Sequence, residues 1–359
     1  MVFPNAKVMN ESDRYIDYLN RLMALIQDGL KCSATRAVLR LTQILVLWDY
    51  SVKDKGSGPK SVDEIKEMLN YIVSTEVGYL FARHDVIDFP MSILKIVDTF
   101  YHEVGNQIRL MVEAYDCFLD RVYFESGEFQ PVAADVFDFM LQVLNPGASD
   151  KFICVASDMG TNALRAKSFR NNSDDVFYLS SEETARLARF RLLLHGMRTG
   201  VPPRFGFLRD AAPLLDTSAD CMTIIPPLGR WVHDGYFGTM GMGEARAFAD
   251  VRYIASGIER LKRKGKLAFV ISEANLDRPE SIEFKRSLLK YCDIRAIFSL
   301  PFEKTYSGWR RYPCAVVFAQ KKNAPRTEES QDVHLGLLPA DLHNGEPKQL
   351  IKMAQDLFE

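Results

Sequence analysis

Residues 221–229 read "CMTIIPPLG": an apolar, β-rich run that stops at two prolines and a glycine. Cys221 to Ile225 has the composition of a buried strand. Tandem prolines remove two backbone donors and stiffen the chain, so strand pairing ends there. The stretch predicts a strand that feeds a rigid loop at the rim of a sheet. What that loop serves is set by its flanks.

Working outward, short apolar runs alternate with helical periodicity. Strands are expected at "KFICVAS" (151–157), "DDVFYLS" (174–180), "DCMTIIPP" (220–227), "KLAFVIS" (266–272), "DIRAIFSLP" (293–301) and "PCAVVFAQKK" (313–322). Helices are expected at "PVAADVFDFMLQVLNP" (131–146), "DMGTNALRAKSF" (158–169), "SEETARLARFRLLLHGM" (181–197), "EARAFADVRYIASGIERLKRKG" (244–265) and "IEFKRSLLKYC" (282–292), with Gly196 a C′ glycine. Strands alternating with helices imply right-handed crossovers and a mainly parallel sheet with helices on both faces. Ligands of such sheets bind beyond the carboxyl ends of the strands. The loops after "FICVAS", "VFYLS" and "MTIIPP" therefore hold any site.

Residues 1–125 have a different grammar. Apolar residues recur at three- and four-residue spacing through "RYIDYLNRLMALIQDGLKCSATRAVLRLTQILVLWDYSV", and the pattern resumes at "SVDEIKEMLNYIVSTEVGYLFA" with Ser61 as a candidate N-cap. The expected organisation is a helical domain over 1–125, an α/β domain over 126–325, and a tail over 326–359 with a short helix.

Composition restricts the function classes. With 359 residues, 47% hydrophobic and 26% charged, the chain is long enough for a large domain and a smaller one, and wholesale disorder is excluded. A net charge of −2 gives no global electrostatic case for nucleic acid. The six cysteines are scattered and form no CxxC pair, which fits a reducing cytosol. The six histidines do not cluster at ligand spacing, so no metal site is expected. The expectation is a cytoplasmic protein with no membrane span.

Three segments carry a resemblance. "GEFQPVAADVFDFMLQVLNPG" (127–147), "ETARLARFRLLLHG" (183–196) and the closing run "GKLAFVIS…FKRSLLKYCDIRAIFSLP…YSGWRRYPCAVVFAQKK" (265–322) are similar, in order and spacing, to the modification subunits of type I restriction-modification systems. Those are N6-adenine DNA methyltransferases. The resemblance spans 127–322 and implies a Rossmann-like seven-stranded methyltransferase sheet behind an all-helical N-terminal domain. It also implies S-adenosylmethionine as methyl donor, a flipped adenine as substrate, and other subunits of a multi-protein complex as partners.

The family's chemical positions are altered one after another. The loop that meets the cofactor, normally an acid followed by glycines, matches "ASDMGTNA" (156–163): Gly160 and Thr161 remain, Asn162 and Ala163 replace glycines, and Ala156 replaces the acid, with Asp158 nearby. The carboxylate expected to bind the ribose falls on Leu179, which accepts no hydrogen bond. The acid that contacts the cofactor's adenine falls on Gly206 or Phe207, with Asp210 a few residues late. Pro131 survives from the family's N-terminal "YTP", preceded by Gln130. The quoted loop takes the place of Asn-Pro-Pro-aromatic, whose Asn accepts from the adenine amino group and whose ring stacks on the flipped base. Here the four residues are Ile225, Pro226, Pro227 and Leu228. The prolines that shape the loop remain, and the two side chains that use its shape do not.

Other features carry two readings each. "ERLKRKGK" (259–266) is either a set of cations at a helix end or a phosphate contact. "YSGWRRYP" (306–313) places Trp309, Arg310 and Arg311 in one loop, either for DNA contact or for a structural role. His195 reads as a helix end. The expected function is a methyltransferase-like subunit that has lost methyl transfer and its cofactor, and serves as a scaffold or DNA/partner-binding component of a bacterial restriction or phage-defence complex. The alternative is an active S-adenosylmethionine-dependent adenine methyltransferase with a divergent site; a third reading is a pocket turned to another nucleotide or small ligand.

Overall fold

A computed structural model describes residues 11–55, 111–119, 132–156, 160–170, 175–179, 182–196, 204–207, 218–228, 231–232, 247–301, 313–326, 331–342 and 346–358, with the shorter pieces 61, 63–64, 67–68, 172 and 304. The chain divides into two compact units: Met1–Ser126 with Arg186–Gly200, and Gly127–Ala185 with Val201–Glu359.

The first unit is helical. Helix α1 (Glu11–Leu30) buries Tyr15, Ile16, Leu19, Leu22 and Ile26, a stripe at helical spacing. Lys31, at φ 46°, turns the chain into α2 (Ala34–Lys55), where the Ser33 hydroxyl accepts the Arg36 amide at 3.3 Å. Helix α2 buries Val38, Leu41, Leu45 and Trp48. Helical residues 111–119 bury Met111, Ala114, Tyr115 and Phe118, and the Tyr115 hydroxyl shares a hydrogen bond with Thr42 of α2. Ser61 accepts the Glu64 amide at 3.1 Å, as an N-cap does.

The second unit is an α/β domain. Its strands are β1 (Phe152–Ala156), β2 (Val176–Leu179), β3 (Arg204–Phe207), β4 (Ala219–Ile225), β7 (Leu261–Ser272), β8 (Cys292–Ser299), β9 (Cys314–Lys321) and β10 (His334–Leu337). Among the described residues they form one eight-stranded sheet in the order β10-β8-β9-β7-β4-β1-β2-β3. Every neighbouring pair is parallel except those that β9 makes with β7 and β8. Two short strands, β5 (Trp231–Val232) and β6 (Ala247–Phe248), make a separate antiparallel pair. The helices are α3 (Ala134–Leu144), α4 (Thr161–Phe169), α5 (Glu182–Leu194, whose residues from Arg186 belong to the first unit), α6 (Ala249–Arg260), α7 (Glu273–Asp277), α8 (Ile282–Tyr291) and α9 (Glu346–Asp356).

Adjacent residues of β9 show that both sheet faces are covered. Phe318 meets Phe139 of α3 edge-on at 5.7 Å, within a trio completed by Phe298. Val317 lies in the opposite layer, with Met222, Ile224, Ile254, Ile258, Phe284 and Leu288 under α6 and α8. Gly257 lets α6 approach β4: a Cβ there would stand 2.3 Å from Ile224 Cδ1.

Two expectations change. The helix expected over 244–265 is shorter: it runs from Ala249 to Arg260, and Leu261 already pairs with Ala219 of β4. The basic run therefore lies mostly in β7, where Lys264 takes φ 62° in an irregular register and Lys262 pairs with Asp220 at 2.8 Å. The end of α6 is capped from elsewhere. The Lys321 ammonium of β9 donates to the carbonyls of Ile258 (2.6 Å), Glu259 (3.0 Å) and Leu261 (2.6 Å). The seven strands implied by the resemblance become eight, because residues 334–337 of the expected tail add β10 beside β8. Helix α9 packs on α3, with Gln355 donating to the Gln142 carbonyl at 2.7 Å.

Candidate functional site

The carboxyl ends of β1, β2, β3 and β4 lie side by side. Ala156 is the register partner of Ile225, Val155 that of Tyr178, and Leu179 that of Phe207. The positions that sequence reasoning singled out one at a time are thereby brought to one edge: Ala156 and Gly160-Thr161 after β1, Leu179 ending β2, Gly206-Phe207 ending β3, and Ile225 to Leu228 at and after the end of β4. Pro131, Asp158, Asp210 and Trp309, Arg310 and Arg311 lie outside the described residues.

Local structure explains how each is held. Gly160 sits at φ 93°, ψ 9°, ahead of the first residue of α4, Thr161, and its carbonyl accepts the Leu164 amide at 3.0 Å. That left-handed conformation suits glycine. Asn162 and Ala163, the residues at the expected glycine positions, are buried. Prolines 226 and 227 end the pairing of β4, and Pro226 is buried while Pro227 is half-buried.

The decisive chemistry is apolar. Leu179 is 1% exposed, Ile225 2% and Leu228 4%. None of the three side chains accepts or donates a hydrogen bond, and none presents a ring. An amine placed against Ile225 would lose its hydrogen bond to water without replacement, at a cost of about 1–3 kcal/mol.

A buried carboxylate stands at the end of β7, and the sequence reading did not single it out. Asp250, in the first turn of α6, accepts from Asn275 Nδ2 at 2.7 Å, the Val251 amide at 3.0 Å and the Ser272 amide at 3.3 Å. Burial pushes its carboxyl above the ordinary range, against the pull of those hydrogen bonds. Its partners fix the start of α6 to the end of β7, a positioning role. Burial, with the charges of Asp250 and Glu273, also raises the Cys314 thiol to about 12, so that sulfur is inert. Among the described residues no group of His, Cys, Asp and Glu could hold a metal ion, and no helix is long and apolar enough to cross a membrane.

The fold as a whole is matched in solved structures. The fold is that of the type I modification subunits and the class I S-adenosylmethionine-dependent methyltransferases. A type I restriction-modification methyltransferase subunit of Streptococcus thermophilus superposes with a TM-score of 0.69 at 15% identity, covering 96% of this chain and 93% of its own. A Listeria monocytogenes protein assigned to the class I S-adenosylmethionine-dependent methyltransferases gives 0.66 at 13% identity, over 98% of this chain and 100% of its own. A Vibrio vulnificus protein assigned as the modification subunit of a type I restriction enzyme gives 0.65 at 15%, over 90% and 85%. No protein-family model and no curated protein matches the chain by sequence.

A methyltransferase fold implies S-adenosylmethionine, and the described residues do not fit it well. At the positions expected to meet the cofactor, Leu179 supplies no acceptor for a ribose, and Asn162 and Ala163 carry buried side chains where the resemblance implies glycines.

Proposed function

We propose that this chain is a methyltransferase-fold subunit that carries out no methyl transfer. It serves as a cytoplasmic scaffold, or as a DNA- or partner-binding component, in a bacterial restriction or phage-defence assembly. The observation that supports this reading is the buried trio Leu179, Ile225 and Leu228 at the carboxyl edge. N6-adenine transfer requires an acceptor for the ribose, an acceptor for the amino group and a ring for the base; side chains that sit apolar and closed at all three positions supply none. The likeness of fold to modification subunits supports a role beside other subunits. Trp309, Arg310 and Arg311 are the residues we propose for DNA, since an aromatic ring and two guanidinium groups adjacent in sequence suit stacking and phosphate contact.

Calorimetry with S-adenosylmethionine, and a methylation assay on DNA of mixed sequence, test the reading. No binding at micromolar ligand and no adenine methylation are expected. Clear micromolar binding or methylation above background would overturn it in favour of an active enzyme with a divergent site.

A further inference from the structure

Strand β10 ends the sheet, and its exposed side chains mark it for pairing. Leu335 and Leu337 are 71% and 79% exposed, the most exposed large apolar side chains among the described residues. Their register partners in β8 are Ile297 and Ser299, so both leucines project on the sheet face that carries α6 and α8. Gly336 between them belongs to the other face, where a Cβ would stand 2.9 Å from Phe298 Cδ1. Among the described residues β10 has one strand neighbour, β8, so no described strand pairs with its outer row of backbone donors and acceptors. Edge strands of soluble proteins are commonly blunted by lysine, proline or an inward charge. His334 to Leu338 contains no lysine, arginine, carboxylate or proline.

We infer that β10 pairs with β10 of a second copy of this chain, antiparallel about a two-fold axis through Gly336. Two properties of the strand select its own copy. The order Leu-Gly-Leu is symmetric about Gly336, so in an antiparallel pair Leu335 lies opposite Leu337 of the second copy, and Leu337 opposite Leu335. An isologous contact requires this self-complementarity. The strand is also uncharged, so meeting its own copy sets no like charges opposite one another, a juxtaposition that destabilises cross-strand pairs. The glycine at the axis leaves the close approach of the two backbones unobstructed. The result is one sheet continuous across two chains, with four leucines covering one another. The contact is independent of whether the carboxyl edge retains chemistry.

Sedimentation equilibrium of the full chain over micromolar concentrations tests the pairing with two variants. The wild-type chain is expected to approach twice its 40.9 kDa mass as concentration rises. Leu335→Lys/Leu337→Lys sets lysine against lysine and is expected to remain at one chain mass, with an unchanged circular dichroism spectrum because both positions are exposed. Leu335→Lys/Leu337→Glu sets lysine against glutamate in this register and is expected to restore the dimer. The inference is overturned by a monomeric wild type, including one that instead takes up a strand of another protein. It is equally overturned by a Lys/Lys variant that still dimerises, or by a Lys/Glu variant that stays monomeric beside a dimeric wild type.

Discussion

Ala156 and Ile225 are register partners at the carboxyl ends of the parallel strands β1 and β4, where a methyltransferase fold gathers its chemistry. Both are apolar, and Ile225 is closed from solvent. On the proposed reading the loss is shared by neighbouring strands, so changing one loop leaves the other untouched. Ile225→Asn with Leu228→Phe is expected to yield no methyl transfer in an assay with labelled S-adenosylmethionine. Placing an amide at a buried position and enlarging a packed leucine should each cost about 1–3 kcal/mol, read as a lower midpoint in denaturant. Recovered methylation would show that Leu179 and residues 156–163 still serve a cofactor.

Two glycines of this domain look alike in sequence and differ in what surrounds them. At Gly257 an added Cβ meets Ile224 Cδ1 at 2.3 Å and Met222 Sδ at 2.9 Å, both far ends of flexible side chains. Alanine also gains about 1 kcal/mol of helix propensity there. Gly257→Ala should cost about 1 kcal/mol in urea unfolding. At Gly265 the new atom meets Leu261 Cγ at 2.7 Å and the backbone carbonyls of Lys262 at 2.9 Å and Asp220 at 3.0 Å. Carbonyls held in a sheet cannot rotate away, so Gly265→Ala should cost about 2–4 kcal/mol. A larger loss at Gly257 would show that the bulge in β7 yields more readily than the contact of α6 with β4.

The α/β grammar was legible because the central strands are continuous apolar runs flanked by helical periodicity. So was the meeting of the candidate positions at one edge, since Ile225-Pro226 and Leu179 end the runs that carry them. What sequence hid depends on distant partners. "LKRKG" continues a helical pattern, and only the pairing of Leu261 with Ala219 converts it to strand. "HLGL" is too short to announce a strand without β8 beside it. Asp250 looks like an ordinary first-turn acid until β7 and α7 bring it Ser272 and Asn275.

Lys321 closes a helix from another element. Its ammonium donates to three carbonyls at the end of α6, and burial lowers its pKa from the ordinary lysine value. Lys321→Met keeps most of the stem and deletes the donors. A cavity of about 390 Å³, lined by Ile258, Glu259, Arg263, Tyr291 and Lys321, opens beside this helix end and would admit water to part of the vacated carbonyl row. That holds the expected loss to about 1–2 kcal/mol. Lys321→Arg should not rescue it, because a planar fork cannot direct donors at three carbonyls as an ammonium does. Chemical denaturation of the two variants checks both statements; full stability in Lys321→Arg would refute the second.

In the helical unit, Asp116 accepts from Arg191 at 2.7 Å and contacts His195 Nε2 at 2.8 Å. Arg191 is only 2% exposed, so its charge depends on neighbours. Burial by itself would raise the Asp116 carboxyl, but the hydrogen bond to His195 and the Arg191 charge outweigh it and hold the group below the ordinary carboxylate range. The folded carboxyl thus releases its proton at a lower pH than the unfolded one. Between those two values the folded state binds fewer protons, and stability rises with pH. The contribution is complete above the unfolded value of about 3.9 and is lost as the pH falls through the folded one. Asp116→Asn keeps the shape without the charge, and at neutral pH it should cost about 2 kcal/mol. Thermal melts of the two proteins should therefore lie well apart at neutral pH and draw together once the pH falls below about 4. A gap that stays constant across that range would mean that the loss in Asp116→Asn does not come from the carboxylate's charge.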